Sequence, residues 1–267
     1  MTIGQSRIDA LGERLHRALE TVTPIDPLTH EDPSLSVSDA YAIQRAMVAH
    51  RIAAGQRVVG KKIGITSRAV MDMLGVEQPD FGVLLSGMAY EDGAAISASR
   101  FISPRAEGEI AFVMARDISG PGLSRDDLRA SIAYAVPCFE IVDSRIRDWK
   151  ITIADTVADN GSSGAFVLGD AIAPLNSPHH ALDLRCAGMV LEKNGQIVGT
   201  GAGAAALGDP LTCVTWLANQ LGEFGIGLKA GEVILSGSLS IMFPVAAGDS
   251  ISMTISGLGT CRARFVE

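Results

Sequence analysis

The chain has 267 residues, a formal charge of −8 and a 47 % share of apolar residues, enough for a sizeable core in one large domain or a main domain with a smaller lead-in. The acid excess, without clustered Lys or Arg, argues against nucleic acid as a partner. No apolar run reaches the roughly 18 residues of a membrane span, and the mixed charges of Met1 to Asp9 are not expected to form a secretory signal.

In chain order, Ile8, Leu11, Leu15 and Leu19 recur at helical spacing and predict a helix over 5–20. A turn-rich stretch, 23–36, holds Pro24, Pro27 and Pro33. A second helix follows, with Ser38 as its expected N-cap. Its apolar face runs through Ala40, Tyr41, Ile43, Met47 and Ile52 to an end near Gly55. From Val58 onward the texture changes to short β-branched runs punctuated by Gly and Asp. These predict strands over 57–65, 81–85, 107–115, 135–143, 164–168, 188–193, 196–201, 233–236, 250–255 and 259–266, with helices at 124–133 and 210–221. Lys193-Asn194-Gly195-Gln196 predicts a tight hairpin, because Asn-Gly supplies the positive φ angles of a two-residue turn. The pattern is that of an α+β protein, β-rich, with a helical lead-in over residues 1–56 and the main body over 57–267.

Three carboxylates stand out in the strand-like runs. Glu107 and Glu109 are two residues apart, so on a strand both point to one face, with Ala111 and Val113 behind them. Ile110, Phe112 and Met114 take the other face. Glu140 lies in a second apolar run, 133–142, where an isolated charge is costly unless paired. Either a hard, oxygen-preferring cation such as Mg²⁺ or Mn²⁺ unites them, or each is solvated at a strand edge or paired with arginine.

Lys61 and Lys62 interrupt another apolar strand, so alternation sends one inward when the other faces out. An inward lysine is a candidate proton carrier, whereas an edge strand would leave both in water. The polar loop 155–164 either lines a site or serves as ordinary turn chemistry, and the strand-end turn Ser236-Gly237-Ser238 either holds a carboxylate with its amides and hydroxyls or is likewise an ordinary turn. The glycine-rich stretch 199–208 meets only the relaxed G-x-G-x-x-A form, and no Walker, H-E-x-x-H or G-x-S-x-G pattern occurs. Cys138, Cys186, Cys213 and Cys261 are too dispersed for a zinc site or a disulfide framework, and are expected as buried thiols in a reducing cytoplasm. His179-His180 is expected in a surface loop.

Four segments, in order, carry a likeness. They are Gly60-Lys61-Lys62-Ile63-Gly64-Ile65-Thr66-Ser67, Gly75-Val76-Glu77-Gln78-Pro79-Asp80-Phe81-Gly82, Pro104-Arg105-Ala106-Glu107-Gly108-Glu109-Ile110-Ala111, and Glu140 to Lys150, which contains Ile146-Arg147-Asp148-Trp149-Lys150. Asp155-Thr156-Val157-Ala158-Asp159-Asn160 follows in its expected place. From about Ala40 to Phe265 the chain resembles the fumarylacetoacetate hydrolase superfamily, and within it the 2-hydroxypenta-2,4-dienoate (2-oxopent-4-enoate) hydratase and 4-oxalocrotonate decarboxylase group.

The resemblance implies a mixed-sheet fold over 57–267 and a metal triad of Glu107, Glu109 and Glu140 holding Mg²⁺ or Mn²⁺. It implies Lys62 as the active-site lysine and Asp80 as an acid beside it, with Ser162 and Ser236 as candidate substrate contacts. The implied reaction hydrates 2-hydroxypenta-2,4-dienoate to 4-hydroxy-2-oxopentanoate in the meta-cleavage catabolism of aromatic compounds. The alternatives are decarboxylation of 2-oxo-3-hexenedioate, an acylpyruvate-type C–C hydrolase, or a non-catalytic scaffold partner. A cytoplasmic homo-oligomer and an association with another enzyme of the pathway are also implied. The chain departs from relatives at Asp209, where they commonly carry His before Pro. Asp209 is still expected to cap the following helix.

Overall fold

In the computed structural model, which describes residues 3–170, 175 and 182–267, the N-terminal apolar stripe does what its spacing predicts. Helix α1 (Gln5–Glu20) buries Ile8, Leu11 and Leu15. A single turn, α2 (Leu28–Glu31), leads to α3 (Val37–Ala53), which buries Ala40, Ile43 and Met47 against α1. This small core also takes in Ile146, Ala154, Val157 and Ala158 from the main body, and Gln44 Nε2 donates to the carbonyls of Phe81 (3.0 Å) and Val157 (2.8 Å).

The cap of α3 is Ser36 and not Ser38. The Ser36 hydroxyl accepts from Asp39 N–H while the Asp39 carboxylate accepts from Ser36, a reciprocal box two residues ahead of the expected start. Ser36→Ala is expected to cost about 1 kcal/mol in urea melts; an unchanged midpoint would show that the box contributes nothing.

The body contains β1 (Val58–Gly64), α4 (Arg68–Leu74), β2 (Asp80–Leu85), β3 (Ala89–Glu91), β4 (Ala94–Ser97), β5 (Arg105–Met114), α5 (Arg125–Arg129) and β6 (Ile132–Val142). It continues through α6 (Ile153–Ala158), β7 (Ser163–Leu168), β8 (Gly188–Lys193), β9 (Gln196–Ala202), α7 (Pro210–Gly222), β10 (Val233–Ser238), β11 (Phe243–Pro244), β12 (Ser250–Ile255) and β13 (Gly259–Val266). One mixed sheet runs β2-β1-β10-β5-β6-β7-β3, with β11 on β5; β1 is parallel to β10 and β3 to β7, and the other neighbours are antiparallel. The second runs β4-β13-β12-β8-β9. The expected β8–β9 hairpin closes on Asn194 (φ 54°) and Gly195 (φ 75°).

The alternation in β5 decides what each face of the large sheet does. Ile110, Phe112 and Met114 point into the main core, shared with Leu191, Met253 and Phe265 of the second sheet and with Leu211, Val214 and Leu217 of α7. Ala111 and Val113 belong to the opposite face, with Val136, Cys138, Phe166 and Leu235. Glu107 and Glu109 continue that second row.

Several sequence expectations are corrected. Residues 124–133 are not one helix: α5 spans only Arg125–Arg129 and β6 begins at Ile132. Residues 155–158 are helical instead of loop, because the Thr152 hydroxyl caps α6 and Asp155 closes the box. The short α4, β3 and β4 went unpredicted. Cys186 is exposed, unlike the other three thiols. Asp209 caps α7 as expected, accepting from Leu211 N–H at 2.9 Å ahead of Pro210. His179-His180 lies outside the described residues. Among the described residues no helix is long and apolar enough to cross a membrane.

Candidate active site

The three glutamates converge. Strand pairing puts Glu107 directly opposite Glu140 and Glu109 opposite Cys138, and one carboxylate oxygen from each acid lies within 4.8 Å of the others. Glu109 and Glu140 are buried, and Glu107 is partly open. Glu109 Oε2 accepts from the Gly237 amide at 2.8 Å. That amide is available because β10 bulges between Leu235 and Ser238, with Gly237 at φ 101°, a left-handed conformation suited to glycine. Ser163 Oγ donates to Glu140 Oε1 at 3.5 Å.

Burial pushes all three acids up: Glu107 to about 7, with the charge of Glu140 adding to it, and Glu109 well above the carboxylate range, with the charges of Glu140 and Glu107 adding. Glu140 is raised by burial against the opposing pull of Lys62. Lys62 Nζ stands 3.3 Å from Glu140 Oε1. Burial alone would lower its pKa, but Glu140 and Asp80 outweigh it and hold the ammonium above the ordinary lysine value. One ammonium against three acids leaves a deficit of positive charge. Glu109 Oε1 and Glu140 Oε2 are buried without any hydrogen-bond partner. An all-oxygen donor set with orphaned carboxylate atoms fits a hard divalent cation.

Lys61, on the other side of the strand, does not face water. It is buried against Glu232, with Nζ 2.7 Å from Oε2. Neither lysine is therefore solvated, and alternation assigns each its own carboxylate.

Asp80, at the start of β2 and paired with Gly64, is buried with Oδ1 unpartnered, and burial pushes its carboxyl up against the opposing charge of Lys62. A carbon added at Gly64 would sit 2.2 Å from Asp80 Oδ1 and 3.4 Å from Lys62 Nζ. Only glycine leaves room there for the acid and the ammonium together. Across from it, Asn160, Gly161 and Ser162 form a left-handed turn (φ 57°, 59° and 54°), pinned by the Asn160 side chain, which donates to Val83 O at 2.9 Å and accepts from Val83 N–H at 2.8 Å. A carbon added at Gly161 would lie 2.8 Å from Lys62 Cε. Gly161→Ala is expected to cost about 1–3 kcal/mol in stability and to lower kcat by displacing the lysine. Chemical denaturation and steady-state kinetics check this, and a variant normal in both would show that the turn does not position Lys62.

The two candidate serines sit differently. Ser162 Oγ is buried, 3.3 Å from both Asp159 Oδ2 and Thr156 Oγ1. Ser236 is fully buried and its hydroxyl donates to Ile110 O at 2.7 Å. The Ser236-Gly237-Ser238 turn does hold a carboxylate through its amide, that of Gly237 on Glu109; Ser163 and the space at Gly64 are not legible in the sequence beyond the glycines at strand ends.

This geometry has counterparts. The profile of the fumarylacetoacetate (FAA) hydrolase C-terminal family matches residues 41–266. The chain belongs to that family. It is 53 % identical over 262 residues to a 2-hydroxyhexa-2,4-dienoate hydratase of Comamonas testosteroni, covering 97 % of this chain and 98 % of the other. To a 2-hydroxypent-2,4-dienoate hydratase of Pseudomonas putida it is 54 % identical over 221 residues, covering 82 % and 97 %. The solved structure of a 4-oxalocrotonate decarboxylase from Pseudomonas putida G7, complexed with magnesium and adipate, superposes with a TM-score of 0.94 at 39 % identity, covering 99 % of both chains. The mixed-sheet α+β fold expected from the family is therefore the one observed.

Proposed function

We propose that this chain is a divalent-metal-dependent hydro-lyase that adds water to 2-hydroxypenta-2,4-dienoate to give 4-hydroxy-2-oxopentanoate. The observation that carries it is the Glu107, Glu109 and Glu140 cluster, with unpartnered oxygens on its two buried acids, beside Lys62 and Asp80, in a chain more than half identical to hydratases of that class. Glu107, Glu109 and Glu140 would hold Mg²⁺ or Mn²⁺, which when bound supplies Lewis-acid polarisation of the 2-oxo acid's carboxylate and C2 oxygen.

The remaining chemistry belongs to the side chains. Conversion of the dienol to the 2-oxo-3-enoate removes a proton from the C2 hydroxyl and delivers one to C5. Hydration then places hydroxide at C4 and a proton at C3. Lys62, fixed as an ammonium by Glu140, stabilises negative charge developing on the substrate. Asp80, with a free oxygen and a raised pKa, suits the proton-moving role at C3 and C5. That shifts weight from Lys62, the first candidate for proton carrier, towards Asp80. The hydroxyls of both serines are already donated, Ser162 to Asp159 and Ser236 to Ile110 O; Ser162 therefore supports the turn beside Lys62 and Ser236 presents Gly237 to Glu109.

A second reading, decarboxylation of 2-oxo-3-hexenedioate, is favoured by the likeness to the decarboxylase structure. Turnover of freshly made dienoate with Mg²⁺ or Mn²⁺ and identification of the product decides. 4-Hydroxy-2-oxopentanoate supports the proposal, whereas carbon dioxide release from the diacid with no dienoate turnover sinks it. The cytoplasmic, homo-oligomeric state and an association with another pathway enzyme form part of the same reading and rest on the family resemblance.

A further inference from the structure

Strand β1 ends at Gly64, and the next residue, Ile65, takes φ 56°. A β-branched side chain in the left-handed region is an outlier that persists only where the surroundings enforce it. That strained turn delivers Thr66. A second non-glycine residue of positive φ, Leu207 at 47°, backs it, with its N–H donating to Thr66 O at 3.1 Å. Two costly backbone conformations thus converge on one threonine.

Thr66 is seated against Gly237. A carbon added at that glycine would meet Thr66 Oγ1 at 2.3 Å, Cγ2 at 2.4 Å and Cβ at 2.8 Å, so the missing side chain is what makes room for the threonine. Gly237 is also the residue whose amide holds Glu109. Two residues before Thr66, the space at Gly64 is where the Asp80 carboxylate and the Lys62 ammonium come together. Only 4 % of Thr66 is exposed, and its hydroxyl has no hydrogen-bond partner among the described residues. A hydroxyl buried without a partner costs free energy, and valine would fill the same notch without that cost. The hydroxyls of Ser162, Ser163 and Ser236 are spent on Asp159, Glu140 and the Ile110 carbonyl. That of Thr66 is left to donate to something the protein does not itself supply.

We propose that the Thr66 hydroxyl is a further ligand contact of the active site, donating to a carboxylate oxygen of the 2-oxo acid held at the glutamate cluster. The proposal rests on the reading of Glu107, Glu109 and Glu140 as a cation site for such acids. It gives a role to the glycine-rich stretch 199–208, which the hydration chemistry leaves unused, since Leu207 there anchors the Thr66 carbonyl.

Calorimetric titration of the Mg²⁺-loaded protein with oxalate tests it, because oxalate presents a carboxylate beside a second oxygen-bearing carbon as a 2-oxo acid does. Thr66→Val keeps the shape and loses the hydroxyl; Thr66→Ser keeps the hydroxyl and loses the methyl group. Thr66→Val is expected to bind oxalate about tenfold or more weakly than the native protein, the size of a hydrogen bond to a charged group, and Thr66→Ser to stay within about threefold of native. Mg²⁺ affinity should be unchanged in both, and the metal-free melting temperature of Thr66→Val should equal or exceed the native value. Native oxalate affinity in Thr66→Val overturns the contact. So does a Thr66→Val protein that melts lower or loses Mg²⁺ affinity, since Thr66 would then serve the fold and the seat of Glu109. Thr66→Ser binding as weakly as Thr66→Val overturns it too, because shape would then be what binds. A native protein that binds no Mg²⁺, or Mg²⁺ but no oxalate, overturns the underlying reading of the site as well, whereas binding of both with no loss in Thr66→Val removes the Thr66 contact alone.

Discussion

Glu109→Gln is expected to abolish divalent-cation binding and to lower kcat/KM for the dienoate about 10³-fold or more, while raising the melting temperature of the metal-free protein. The two effects have one cause. Glu109 is buried among like charges with Oε1 unpartnered, so in the metal-free state its ionised form is a cost that the fold bears for function. Neutralising it relieves the repulsion and keeps an acceptor for the Gly237 amide. Lewis-acid activation is worth several kcal/mol, and each 1.4 kcal/mol is tenfold in rate. In the native protein a cation at about 100 times its Kd adds about 2.7 kcal/mol of stability, a gain the variant should lack.

The pH dependence has a definite sign. Glu107 titrates at about 7 in the folded protein against an ordinary value of 4.5. Between those values the folded state holds a proton that the unfolded chain has released, so the metal-free protein loses stability as pH rises through that window. Cation affinity moves oppositely, because the same proton competes with the metal. Melts of native and Glu107→Gln protein between about pH 5 and pH 8, with chelator and with Mg²⁺, check both trends. A native profile parallel to that of Glu107→Gln would show that Glu107 does not bear this charge.

The glutamates were legible because a strand writes its faces into the sequence with period two: Glu107 and Glu109 had to share a side whatever the fold. Glu140 was legible only as a charge in an apolar run. That it sits opposite Glu107 is a fact of β5–β6 register, which no local pattern carries. The same limit explains Lys61. Alternation separated it from Lys62, but its partner Glu232 is 171 residues away, so exposure was as good a reading as burial. The Ser36 cap was readable in principle from Asp39 three residues on; Ser38 drew attention by standing closer to the apolar face. The α6 helix was obscured because Asp155 and Asp159 read as loop residues, although one closes a capping box and the other anchors a buried arginine. Where a side chain's job is to hold backbone from a distant segment, its identity alone does not announce it.

Arg145 is the largest such case, and Arg145→Met is expected to destabilise the protein by about 3–5 kcal/mol, the cost of leaving a buried charge without its partner. The side chain is wholly buried. Nε donates to Asp159 Oδ1 at 2.5 Å, Nη1 to the carbonyls of Asp143 and Ser163, and Nη2 to the carbonyl of Asp159. The Asp143 carboxylate receives the amides of Ile102 (3.0 Å) and Ser103 (2.7 Å), and Ile25 N–H donates to Arg145 O at 2.9 Å. One guanidinium thus ties the end of β6 to the turn that carries Gly161, Ser162 and Ser163, and its main chain links both to the N-terminal segment. At roughly 2–4 °C per kcal/mol for a chain of this size class, the melting temperature should fall by about 10 °C. Adding Asp159→Asn should cost less than the sum of the two single changes, because the second removes the charge that the first stranded. Additive losses would show that the two do not act as a pair. Cation affinity should weaken alongside stability, since Ser163 and the lysine-supporting turn lose their anchor. Retained affinity at full occupancy would confine Arg145 to stability alone.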